Sequence, residues 1–107
     1  MEKLTFEFQG GEKPLDAGRA YVVVGIVASS NLEVMAERKS LAGKCRFEIA
    51  TTAGNFGETW KAVLNDFMDR NKPRDVLFSI NDFSAIPPVV SLRLDQALEQ
   101  LAHEEQP

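Results

Sequence analysis

The chain has 107 residues, 44% of them hydrophobic, and a formal net charge of −4. That length points to one domain over residues 1–107, with a modest core and much surface left exposed. The acidic balance argues against nucleic acid and anionic membranes as partners, no apolar stretch reaches the length of a membrane span, and the single Cys45 cannot close an internal disulfide.

Leu4, Phe6 and Phe8 alternate with Thr5 and Glu7, the period of a half-buried strand. Gln9 to Gly18 contains Gly10, Gly11, Pro14 and Gly18 and reads as a loop. Ala20 to Ala28 is β-branched and almost wholly apolar, the pattern of a central strand covered on both faces. That run stops at Ser29-Ser30-Asn31, and a new alternation extends from Leu32 to Arg38. The two hydroxyls are therefore expected at the accessible tip of a hairpin, where Ser and Asn favour turning by bonding their own backbone. Lys39 to Gly43 is a polar turn, after which Cys45, Phe47, Ile49 and Thr51 alternate with Arg46, Glu48 and Ala50 as a further strand.

The period then changes. Trp60, Val63, Leu64, Phe67 and Met68 share one face of an amphipathic helix, Asn55 and Glu58 have the spacing of a capping box, and Asn71-Lys72-Pro73 ends the helix. Val76, Phe78 and Ile80 alternate as the last strand. Pro87-Pro88 starts a final helix, whose stripe is Val90, Leu94, Ala97, Leu98 and Leu101, and His103 to Pro107 forms a charged tail. The order β-β-β-β-α-β-α, with three strand hairpins, predicts an α+β layer pair: a mostly antiparallel sheet with two helices packed on one face. Trp60, Phe67 and Leu98 are expected to be buried together, and Phe83 to anchor the crossing from the last strand to the last helix.

Catalytic groupings are scarce. One histidine and one cysteine, without partners at ligand spacing, do not make a metal site. Cys45 points with Phe47 and Ile49 and reads as a core residue. Ser29 has no base beside it in sequence and no nucleophile-elbow motif. Asp66, Asp69, Asp75 and Asp82 fall on a helix surface and at strand ends, where carboxylates are usually solvated or capping. Gly54-x-x-Gly57 lacks the lysine of a phosphate loop. Such a chain fits a carrier better than a free-standing enzyme.

The segment Gly25-Ile26-Val27-Ala28-Ser29-Ser30-Asn31-Leu32-Glu33 resembles the modification site of the acyl carrier protein (delta subunit) family of malonate decarboxylase, which reads Gly-Val-Val-Gly-Ser-Gly-Asp-Leu-Glu. Leu4-Thr5-Phe6-Glu7-Phe8, Gly18-Arg19-Ala20 and Trp60 have counterparts in that family, and so do Ile80 to Pro87 and Leu92-Arg93-Leu94-Asp95-Gln96-Ala97-Leu98-Glu99. The resemblance runs through nearly the whole chain. Departures fall at Ala28, Ser30 and Asn31 in the tip and at Ser84 and Pro88.

The resemblance implies a non-catalytic subunit whose Ser29 is joined through a phosphodiester to 2′-(5″-phosphoribosyl)-3′-dephospho-coenzyme A, the thiol of which carries acetyl and malonyl groups. Ser30, where the family has glycine and the backbone turns sharply, is the less favoured hydroxyl. The implied partners are the alpha, beta and gamma subunits of malonate decarboxylase, a malonyl transacylase and a phosphoribosyl-dephospho-coenzyme A transferase. The opening Met1-Glu2-Lys3-Leu4 lacks the basic and apolar regions of an export signal, so a cytoplasmic location is expected. Two alternatives stay open: the related citrate lyase acyl carrier, and a non-catalytic interaction or scaffold protein of the same fold.

Overall fold

The structure, a computed structural model, describes residues 1–13, 15 and 18–103. Its elements follow the predicted order: β1 (Glu2–Gln9), β2 (Tyr21–Gly25), β3 (Asn31–Arg38), β4 (Lys44–Thr51), α1 (Gly57–Asn71), β5 (Val76–Phe83) and α2 (Pro87–Ala102). Pro14, Asp16 and Ala17 of the expected first loop, and 104–107 of the expected tail, lie outside the described residues.

The strands form one sheet in the order β1-β4-β5-β3-β2. Three of its four pairings are antiparallel, and β4 runs parallel to β5. A parallel pair cannot be joined by a tight turn, so α1 makes that crossover. This register corrects two expectations. Of the three hairpins, only β2–β3 forms; β1 pairs with β4, and β3 with β5. The strand read as central and covered on both faces is an edge strand ending at Gly25, with Tyr21 63% and Val23 49% exposed. β-Branched residues suit any pleated surface, so an unbroken apolar run does not distinguish an edge from a centre. The central position belongs to β5.

Period-two alternation places Val22, Val24, Leu32, Val34, Ala36, Cys45, Phe47, Ile49, Phe78 and Ile80 in one core with residues of both helices. α1 contributes Trp60, Leu64, Phe67 and Met68, and α2 contributes Val90, Leu94, Ala97 and Leu101. Leu98 packs at its margin. At the centre the rings of Phe47 and Phe78 stack at 4.9 Å, and Phe67 meets both edge-on.

The helix ends follow their local chemistry with one exception. Pro87 opens α2 at N1, and Lys72, in the left-handed region at φ 47°, closes α1 by donating its N–H to the Met68 carbonyl. The expected capping box of Asn55 and Glu58 does not form. Phe56 is the N-cap, without a side-chain bond, and Asn55 sits one residue too early at φ 66°.

Candidate functional site

The hairpin tip between β2 and β3 holds the predicted site residues. Gly25 ends β2 at φ +85°, and a Cβ there would collide with the Leu32 carbonyl, so the chain can turn off the edge strand only at a glycine. Residues 26–30 then loop back. The Asn31 N–H donates to the Ala28 carbonyl at 3.0 Å, and the Ser30 N–H to the Phe83 carbonyl at 2.7 Å. The second bond ties the tip to the end of β5. Ser29 and Ser30 are both exposed, and among the described residues the Ser29 hydroxyl has no hydrogen-bond partner. The tip is a tight turn rather than an extended stretch. What separates the two serines is backbone: Ser30 occupies the left-handed region at φ 61°.

Beneath the tip lies a polar clasp. Asp82, 2% exposed, accepts from the Thr51 hydroxyl at 2.7 Å and from the N–H groups of Ser84 and Ala85 at 3.3 and 3.1 Å. Thr51 Oγ1 in turn accepts from the Ala53 N–H at 3.1 Å, and Thr52 donates its N–H to the Asp82 carbonyl. One carboxylate thus fixes the exits of both β4 and β5. Phe83, the expected anchor of the crossing, is half-buried; Asp82 is the residue whose side chain bonds across that crossing. The period that turns Val76, Phe78 and Ile80 inward carries Asp82 inward too, as Cys45, Phe47 and Ile49 carry Thr51. The sequence therefore held the signal for its burial, and its bonds to the Ser84 and Ala85 amides are the capping expected of an end-of-strand aspartate.

Apolar surface surrounds this clasp. Ile26, Val27, Phe56 and Ile86 are each at least half exposed on the loops at this end of the sheet. A cleft of about 370 Å³ opens between the start of α1 and the β5–α2 crossing, lined by Phe56, Trp60, Val63, Ala85, Ile86 and Val90 among others.

Of the remaining candidates, Cys45 and Asp75 take structural roles. Cys45 is wholly buried, and burial pushes its thiol pKa up to about 12, so it is no nucleophile. Asp66 and Asp69 are exposed on α1, and Asp66 pairs with Arg70 at 2.9 Å. Asp75 accepts from the N–H groups of Leu41 and Gly43, both at 2.9 Å; these amides hold its carboxyl below the ordinary range. His103 is exposed. Among the described residues no group of three potential ligands could hold a metal, and no helix is long and apolar enough to cross a membrane.

One group went unnoticed in the sequence. Arg93 of α2 lies against Gly25, where a Cβ would come within 3.4 Å of its Cδ. Its Nε is shielded from solvent and has no acceptor. The signal was only that Arg93 flanks the apolar stripe of α2; its isolation appears once β2 is laid on that helix.

The family model Malonate decarboxylase delta subunit (MdcD) matches residues 19–101. The malonate decarboxylase acyl carrier protein of Xanthomonas euvesicatoria pv. vesicatoria is 52% identical over 101 residues, covering 94% of this chain and 95% of that protein. Its namesake in Bradyrhizobium diazoefficiens is 46% identical over 102 residues, covering 95% and 96%. Among solved structures, a chain of a Pseudomonas malonate decarboxylase hetero-tetramer in complex with malonate superposes with a TM-score of 0.83 at 36% identity, covering 94% of this chain and 99% of that one. With its fold and sequence matched over most of its length, the chain belongs to the malonate decarboxylase delta subunit family, the acyl carrier proteins of that enzyme.

Proposed function

We propose that this chain is the non-catalytic acyl carrier subunit of a malonate decarboxylase, with Ser29 as the attachment point of a phosphodiester-linked 2′-(5″-phosphoribosyl)-3′-dephospho-coenzyme A arm. The observation that carries the reading is the Ser29 hydroxyl, exposed, unbonded among the described residues and held on a hairpin tip; the resemblance of the surrounding segment sets it against the family's serine. The surroundings fit an anionic tethered group, because a guanidinium without a carboxylate partner lies beside the strand leading into the tip. When bound, the arm supplies a thiol for carrying acetyl and malonyl groups.

The chain's own residues hold and present that arm. Gly25 lets the backbone leave β2, and the Ser30 N–H bond to Phe83 fixes the tip. The Asp82 clasp keeps the loops beneath it rigid, so a tethered group sweeps a defined volume and reaches each partner at high effective concentration. Ile26, Val27, Phe56 and Ile86 offer apolar surface that partners can cover. Those partners are the alpha, beta and gamma subunits, a malonyl transacylase and the transferase that loads the arm. A wholly buried lone cysteine accords with residence in the reducing cytoplasm.

The test is intact mass after co-expression with the chain's own phosphoribosyl-dephospho-coenzyme A transferase. A gain equal to one arm per chain is expected. A parent protein that gains nothing contradicts the carrier reading and favours an unmodified interaction protein of the same fold.

A further inference from the structure

Arg93 differs from its counterparts. Arg46, Arg70 and Arg74 each reach a carboxylate, at 3.2, 2.9 and 3.4 Å. Arg38 donates to the carbonyls of Arg19 and Leu101. Arg93 instead donates one terminal nitrogen to the neutral Oε1 of Gln96 at 2.9 Å, and its Nε has no acceptor. No ion pair engages it among the described residues, although the chain as a whole is acidic. A half-buried guanidinium without an anion is costly, because its lost hydration is not replaced.

Its position relates it to the tip. The side-chain stem lies against Gly25, four residues before Ser29. Helical side chains lean toward the helix N-terminus. α2 starts at Pro87, directly after the β5 end to which Ser30 is bonded, so the contact with Gly25 puts the Arg93 stem near the end of the sheet that carries the tip, while its terminal nitrogen bonds Gln96 one turn further along α2. Four residues of chain span at most ~14 Å, and the tip folds back through the Asn31 to Ala28 bond, which shortens that separation further.

We propose that Arg93 holds the phosphodiester on Ser29, its guanidinium donating to the phosphate oxygens and so directing the first segment of the arm along α2. This rests on Ser29 being the attachment point. Arginine suits the role because its planar fork matches phosphate and stays charged at any physiological pH.

The experiment uses the full chain co-expressed with its transferase, as parent, Arg93→Gln and Arg93→Lys. Intact mass first reports loading. The Arg93 Nε–H resonance is then compared in unloaded and loaded parent by NMR, together with the phosphorus resonance of the phosphodiester in all three loaded proteins. The expected result is an Arg93 Nε–H resonance that moves on loading. The phosphorus resonance should differ between parent and Arg93→Gln, with Arg93→Lys between them. Added salt should move the parent's phosphorus resonance toward that of Arg93→Gln. Loaded parent whose Arg93 Nε–H resonance matches that of unloaded protein overturns the proposal and leaves Ser29 attachment standing. A parent that gains no mass overturns the attachment reading and this proposal with it. Should Arg93→Gln fail to fold, the unloaded-to-loaded comparison in the parent decides alone.

Discussion

The two ends of the sheet are each organised by an aspartate, and they are finished differently. At the end where β5 begins, Asp75 accepts the Leu41 and Gly43 amides. Its backbone bonds Lys39 and Lys44, Gly10 packs against Gly43 and Arg74, and Arg38 reaches across to the Leu101 carbonyl near the end of α2. Among the described residues, the large hydrophobic side chain most exposed at that end is Tyr21. At the other end, Asp82 clasps the exits of β4 and β5 from within the core, but the loops above it expose Ile26, Val27, Phe56 and Ile86 around a cleft and the Ser29 tip. One end is closed on itself, whereas the other is rigid below and open above. That is the arrangement a carrier needs: its attachment point has to be accessible without being loose.

Substitutions can break or sharpen this contrast. The largest stability effect is expected from Trp60→Ala, since Trp60 belongs to the core and also floors the cleft of the open end. It should cost about 3–5 kcal/mol, read as a drop in the urea midpoint. Asp82→Ala should follow, at about 1–3 kcal/mol, because the Thr51 hydroxyl and two loop amides lose their acceptor in a buried site. If its melting temperature equalled that of the parent, the clasp would not be the support described.

At the closed end the expected effect is smaller and depends on pH. The Asp75 carboxyl is held low first by its bond from Leu41, then by that from Gly43. A lowered folded pKa gives stability that is present in full above the ordinary value of 3.8 and fades as pH falls through the folded value. Asp75→Asn should therefore be less stable than the parent at about pH 7, and the gap should narrow toward about pH 3. A gap constant across that range would show that the charge on Asp75 contributes nothing. Smallest of all, Ser30→Gly relieves a left-handed serine. Relief of about 1–2 kcal/mol less the glycine flexibility cost of about 0.5–1 kcal/mol leaves a gain of about 0–1.5 kcal/mol. Calorimetry showing a loss instead would mean that the Ser30 side chain stabilises the tip.

Much of this was legible in the chain. The alternations of β1, β3, β4 and β5, the Trp60–Met68 stripe and the Pro87 start all reflect local periods that survive in the fold. The failures had both non-local and local causes. Tyr21 to Val27 could not announce that β2 is an edge, because pairing partners far along the chain decide that. Asn55 had the right spacing for a cap and the wrong backbone angle. Asp82 caps the loop amides as a strand-end aspartate can, but its burial was not foreseen, because its position was read apart from the inward register it shares with Ile80. Arg93 could not be singled out, since the absence of an acceptor for its Nε is visible only in three dimensions.

The central claim is that the open end presents one particular hydroxyl. Its most direct test is intact mass of Ser29→Ala and Ser30→Ala, each co-expressed with the transferase beside the parent. The account predicts that the parent and Ser30→Ala gain the mass of one arm and that Ser29→Ala gains none; added mass retained in Ser29→Ala would contradict it.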